Sequence, residues 1–83
     1  LGFKICNQNG DVKKGDLLCS SDVPGYLMKQ PEEYSITKFN DKEEPVYASK
    51  QSITNITVGK SMEDVSFDSD GKAEGIYGYI YCG

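Results

Sequence analysis

The side chains able to carry chemistry in this chain are three cysteines, thirteen carboxylates and a row of tyrosines near its end. There is no histidine, which removes the usual hydrolytic triads and the Cys–His dyads. Cys6, Cys19 and Cys82 therefore lack the common general base, although a lysine or a helix terminus could still lower a thiol pKa. They also lie too far apart to form the CxxC half-site of a zinc centre. An odd cysteine count speaks against a secreted disulfide framework, so we read the thiols as reduced and mostly buried, packed as small hydrophobes. A glycosidase pair needs one carboxyl whose pKa burial raises. The acidic doublets Glu32-Glu33 and Glu43-Glu44 stand in polar stretches, where such burial is not expected.

Three short patterns imitate functional motifs. Val58-Gly59-Lys60-Ser61 matches the end of a phosphate-binding loop, but Thr54 occupies the place of its first glycine. Asp68-Ser69-Asp70-Gly71 with Glu74 resembles part of a calcium loop without the flanking helices, and we read it as an Asp-Gly turn. Asn55-Ile56-Thr57 fits a glycosylation acceptor but reads as strand in a chain with no secretory signal. We expect no catalytic residues, no metal and no cofactor.

The tyrosines belong to the clearest single element, Gly75-Ile76-Tyr77-Gly78-Tyr79-Ile80-Tyr81-Cys82. Side chains alternate between the faces of a strand, so Ile76, Gly78, Ile80 and Cys82 share one face and Tyr77, Tyr79 and Tyr81 the other. The aliphatic face suits a domain core, with Gly78 admitting a close approach. Three tyrosines side by side suit a contact with a partner, where the ring is covered and the hydroxyl finds a polar group. Tyr77, Tyr79 and Tyr81 are thus the candidate binding or subunit-interface residues, with sugar stacking as the other use of such a row.

The rest of the chain reads as strands cut by turns. Phe3-Lys4-Ile5-Cys6, Leu17-Leu18-Cys19-Ser20 and Tyr26-Leu27-Met28-Lys29 are separated by Asn9-Gly10, Lys14-Gly15-Asp16 and Pro24-Gly25. Tyr34-Ser35-Ile36-Thr37-Lys38-Phe39 and Pro45-Val46-Tyr47-Ala48-Ser49-Lys50 flank a charged tip and predict an exposed central hairpin. The β-branched run Ile53-Thr54-Asn55-Ile56-Thr57-Val58 predicts another strand. A bend or bulge is expected at Lys60-Ser61-Met62-Glu63-Asp64 before Val65-Ser66-Phe67. Turns at this spacing predict an all-β fold, a small barrel or sandwich of short antiparallel strands with a protruding hairpin, forming a single domain over residues 1–83.

A chain of 83 residues buries only about 60% of its unfolded surface and gains from outside support. With metal and disulfides set aside, oligomerisation is the expected support. The formal net charge of −4 and the single basic doublet Lys13-Lys14 argue against a nucleic-acid partner, which needs a clustered cationic surface. No apolar run approaches the length of a membrane span. Because the chain starts at Leu1, we expect a fragment or cleavage product, the C-terminal module of something longer.

Three segments in order carry a family resemblance. They are Asn9-Gly10-Asp11-Val12-Lys13-Lys14-Gly15-Asp16-Leu17-Leu18-Cys19-Ser20-Ser21-Asp22-Val23-Pro24-Gly25-Tyr26-Leu27-Met28-Lys29, then Thr57-Val58-Gly59-Lys60-Ser61-Met62-Glu63-Asp64, then Gly75-Ile76-Tyr77-Gly78-Tyr79-Ile80-Tyr81-Cys82-Gly83. Together they resemble a small β domain near the C-terminus of bacteriophage tail-fibre and virion appendage proteins, including those of marine phages. The resemblance implies a structural part of the virion, a homotrimer assembled in the reducing host cytoplasm and used in host attachment. It leaves two alternatives, a carbohydrate- or receptor-binding fibre tip and a self-cleaving chaperone segment. The tip would meet a host-surface glycan through the tyrosine row or through the hairpin from Tyr34 through Lys50. No protease motif is visible for the chaperone segment, so no catalytic residue is carried over.

Overall fold

A computed structural model describes residues 2–81, and every regular element in it is a strand. In chain order these are β1 (Gly2–Cys6), β2 (Leu17–Ser20), β3 (Leu27–Lys29), β4 (Glu33–Phe39), β5 (Pro45–Lys50), β6 (Thr57–Ser61) and β7 (Lys72–Ile80). The turns between them form where the residue types demand. At Val23-Pro24-Gly25-Tyr26, proline presets one φ and Gly25 takes the left-handed one, +82°. The Tyr26 N–H closes that turn on the Val23 carbonyl at 3.1 Å.

Five strands close into a barrel in the order β1-β3-β2-β6-β7, with β7 pairing back onto β1. The fold is therefore the small all-β barrel that the turn spacing predicts, with the two remaining strands forming a separate hairpin. One pairing departs from the antiparallel expectation: β1 and β3 run parallel, Ile5 opposite Leu27. The β2–β3 connection is a tight reversal, so β3 must run against β2. The loop over residues 7–16 carries the chain across the barrel end, which leaves β1 parallel to β3 where the barrel closes.

Phe3, Ile5, Val12, Leu18 and Ile76 fill the interior, with Leu27, Val65, Phe67 and Ala73 packed around them. Val12 is fully buried although it lies in a loop, and its carbonyl accepts the Val65 N–H at 3.0 Å. Phe3 is wedged between two glycines of neighbouring strands. A Cβ at Gly59 would stand 3.0 Å from Phe3 Cζ, and one at Gly78 would stand 2.5 Å from Phe3 Cε2. Gly78 is in the closing strand because the ring occupies the space of its side chain.

Strand β2 is buried on both faces. Leu18 points into the barrel, yet Leu17 and Cys19 are buried too. Outside them runs the segment over residues 51–56: Gln51 and Ile53 line a cleft with Leu17, and Asn55 and Ile56 line another with Cys19. This corrects the expected strand from Ile53 to Val58. Its first four residues are covering loop, β6 begins only at Thr57 and runs through Ser61, and the bend expected from Lys60 to Asp64 falls at Met62 and Glu63. Pairing with β2 decides the outcome, Leu17 opposite Lys60 and Leu18 opposite Gly59, because the glycine and the small, fully buried Ser61 fit where larger side chains would not. Residues 65–67 are not strand either, but they pack Val65 and Phe67 onto the core.

The hairpin β4–β5 stands apart. Among the described residues neither strand comes within contact distance of a barrel strand. The Cα radius of gyration is 14.8 Å, against about 12 Å for a compact chain of this length, and the extents are 47 × 32 × 22 Å. Tyr34, Ile36, Phe39 and Tyr47 are all exposed. At the hairpin's base, Gln30 and Gln51 tie it to the barrel: the Gln51 side chain accepts from Leu17 N and donates to the Leu17 and Gln30 carbonyls.

Candidate functional site

The closing strand bears the site residues read from sequence. Ile76 and Gly78 are buried, and Tyr77 and Tyr79 face outward, each 54% exposed. Their rings stand 6.4 Å apart, centroid to centroid, and are tilted by 56°. The backbone beneath is held by the β6–β7 ladder, in which Lys60 opposes Tyr79. Past the end of β6, Met62 N donates to the Tyr77 carbonyl at 2.9 Å and Tyr77 N donates to Glu63 Oε2 at 3.3 Å.

The third member, Tyr81, lies one residue past β7, which ends at Ile80, and its N–H donates to the Val58 carbonyl at 2.9 Å, next along from the Gly59–Ile80 pair. Tyr81 is partly buried and lines a groove with Ile53, Thr57, Val58 and Ile80. The placing of Ile80 in the core is also corrected, since it is 51% exposed. Its pair with Gly59 is the last of the ladder, so an inward-pointing side chain there meets the open rim of the barrel. Cys82, assigned to the same core face, lies outside the described residues.

Sequence reasoning missed that Ile53, Ile56 and Ile80 are exposed, all over half. Ile53 and Ile80 border the groove beside Tyr81, so apolar surface continues from the tyrosine wall around the barrel rim. No local pattern signals this, because it follows from residues 51–56 lying over β2 instead of joining the sheet. Of the polar side chains that could serve sugar stacking near the row, Gln51 and Asp64 are otherwise engaged. The Gln51 side chain is committed to the Leu17 backbone, and Asp64 Oδ1 accepts from Lys14 N at 2.8 Å. Asn55 is exposed in a turn and borders the Tyr81 groove.

The look-alike motifs are structural where they stand. Val58-Gly59-Lys60-Ser61 lies within β6. Asp68 Oδ1 accepts from the N–H groups of Asp70 and Lys72, which is turn chemistry. Cys6 and Cys19 are free and buried, and burial pushes the Cys19 thiol up, which disfavours the nucleophilic thiolate. Among the described residues no group of three metal-ligating side chains assembles.

Two groups on the barrel surface titrate late. The Tyr26 hydroxyl donates to Glu74 Oε1 at 3.0 Å, and that bond, with desolvation and the Glu74 and Asp68 charges behind it, raises the phenol pKa. Lys29 is raised chiefly by its bond to Glu32, 3.2 Å away, with Asp16 assisting at 4.0 Å. Both folded-state values lie above the unfolded ones, so the stability they contribute is complete below about pH 10. It is lost as pH rises through the folded values. A spectrophotometric titration should show a late tyrosine ionisation that Glu74→Gln brings earlier; an unchanged curve for that variant would count against the assignment.

The fold and surface define a small, closed, mixed β-barrel with an aromatic pair on one wall, an apolar rim and a free hairpin. Comparison with protein-family models, with curated proteins and with solved structures found no match.

Proposed function

We propose that this chain is a non-catalytic structural and oligomerisation module of a bacteriophage tail fibre or virion appendage, working as a homotrimer in the assembled virion. The family reading rests on the three ordered segments that resemble such domains. The observation that supports self-association is the exposed pair Tyr77 and Tyr79, followed by exposed Ile80, on a barrel with a small core. A monomer gains nothing from displaying this surface, whereas a sister chain would cover the rings and leave the hydroxyls to polar partners at the edge.

Sedimentation of the chain across micromolar concentrations tests the reading. A trimer is expected, and Tyr77→Ser with Tyr79→Ser should weaken it by at least about tenfold, as loss of aromatic anchors does at interfaces. A monomer that instead binds an oligosaccharide through the same tyrosines would replace this reading with a receptor-binding tip.

A further inference from the structure

The register of the hairpin contains a detail that the sequence alternation hides. Ile36 opposes Tyr47, Lys38 opposes Val46 and Phe39 opposes Pro45, so one extra residue is inserted into β4 at Thr37. In an unbroken strand Phe39 would project opposite to Tyr34 and Ile36. The bulge reverses the phase, and Phe39 joins them. One face of the hairpin therefore carries Tyr34, Ile36, Phe39, Pro45 and Tyr47, with Glu33, Ser35, Lys38, Val46, Ala48 and Lys50 on the other.

This apolar face has no cover from its own barrel. Tyr34, Ile36, Phe39 and Tyr47 are 73%, 50%, 64% and 60% exposed. Side chains of this size display about 400–500 Å² in such a state, more than half of the roughly 800 Å² each partner contributes to a stable dimer. A two-stranded hairpin without a packed face is at best marginally stable in water, so an ordered β4–β5 calls for a partner.

We propose that the apolar face of the β4–β5 hairpin packs against the same face of sister copies of this chain, around the axis of the assembly. The inference rests on the reading above for the premise that copies meet, and it names a second contact made by different residues. Charge favours a sister chain over a foreign one. The five apolar positions include no carboxylate and no lysine, so copies meet without opposing like charges. On the reverse face Glu33 lies opposite Lys50 and Lys38 opposite Val46, which leaves a single positive charge, too weak a field to select an acidic partner. No carboxylate or amide stands among the rings to bind sugar hydroxyls. Equivalent faces of the three copies meet around the threefold axis, with the tyrosine hydroxyls reaching solvent at the rim.

The test uses the full 83-residue chain and two variants, Phe39→Ser with Tyr47→Ser and Tyr77→Ser with Tyr79→Ser. Sedimentation reads association, and amide hydrogen exchange reads β4–β5 separately from β1 and β2, which report whether the barrel is folded. Protection of the β4–β5 amides should rise with protein concentration in the wild type, and the hairpin variant should lose association by at least about tenfold with the barrel amides unchanged. Hairpin protection independent of concentration, or wild-type association of the hairpin variant, overturns the proposal. If the tyrosine-wall variant alone then dissociates, the functional reading stands without the hairpin contact. A wild type that stays monomeric throughout removes both.

Discussion

Gly78→Ala is expected to destabilise the barrel by about 3 kcal/mol or more, a large part of the roughly 4–12 kcal/mol a chain of this length commands. The new methyl would meet two obstacles at once. Phe3 Cε2 would be 2.5 Å away and Cδ2 2.8 Å, and the Lys60 carbonyl oxygen would be 2.6 Å away. The ring cannot retreat far, because it is buried and the same edge also lies over Gly59. The carbonyl belongs to the β6–β7 ladder, where Lys60 and Ser61 oppose Tyr79 and Gly78, so moving it breaks strand pairing. Gly2→Ala is the internal control, since its Cβ would come no closer than 3.6 Å to Gly75. Thermal melts should place Gly78→Ala roughly 12–24 °C below wild type and Gly2→Ala close to it. Phe3→Leu in the Gly78→Ala background should recover only the ring's share, because the carbonyl clash remains. A Gly78→Ala melting point within a few degrees of wild type would show that the barrel yields there.

The elements that sequence reasoning placed well are those fixed by local chemistry. Gly10, Gly15, Gly25 and Gly71 all take positive φ at the turns where Asn-Gly, Lys-Gly-Asp, Pro-Gly and Asp-Gly steps stand. β2 and β5 coincide with the predicted segments, and β1, β3 and β4 differ by a residue at one end. The errors come where distant residues decide. Ile53 and Ile56 have high strand propensity, yet β2 needs its outer face covered, and β6 needs Gly59 and Ser61 next to Phe3 and Asp16. Propensity within a window cannot register a ring that arrives from the other end of the chain.

The candidate site divides in the same way. Alternation along β7 correctly put Ile76 and Gly78 inside and Tyr77 and Tyr79 outside. It failed at Ile80 because period two continues without limit, whereas a barrel of short strands has a rim. In the hairpin, the bulge at Thr37 converts an apparently two-faced arrangement into one apolar face, and only the pairing with β5 reveals it. Both surfaces that could meet a partner thus depend on where a strand stops or slips, which composition does not encode.

The hairpin's attachment yields the second large effect: Gln51→Glu should destabilise the chain by about 2–3 kcal/mol at neutral pH, more than Gln51→Ala. Gln51 clamps the β2–β3 ladder just past the Leu18–Lys29 pair, at Leu17 and Gln30. Its Oε1 accepts from Leu17 N at 2.7 Å, and its Nε2 donates to the Leu17 and Gln30 carbonyls at 3.1 and 2.7 Å. Gln30 continues the clasp, donating from Nε2 to the Ser52 carbonyl at 2.8 Å and accepting the Thr57 hydroxyl at 2.6 Å. A carboxylate at position 51 keeps the bond from Leu17 N but turns an oxygen toward two carbonyls in a partly buried setting. Alanine merely lets water reach them, at a cost of about 1–2 kcal/mol. The introduced acid should be driven to hold its proton, because the protonated form regains a donor. Its folded-state pKa is therefore raised, so the penalty is least below about pH 4, the unfolded glutamate range, and grows as pH rises through the folded value. Urea unfolding at pH 4 and pH 7 should show the gap between wild type and Gln51→Glu widening with pH, while the gap to Gln51→Ala stays constant. Exchange of the Leu17 amide should quicken in both variants; equal stability of all three chains would mean that the glutamine clasp does not hold the hairpin to the barrel.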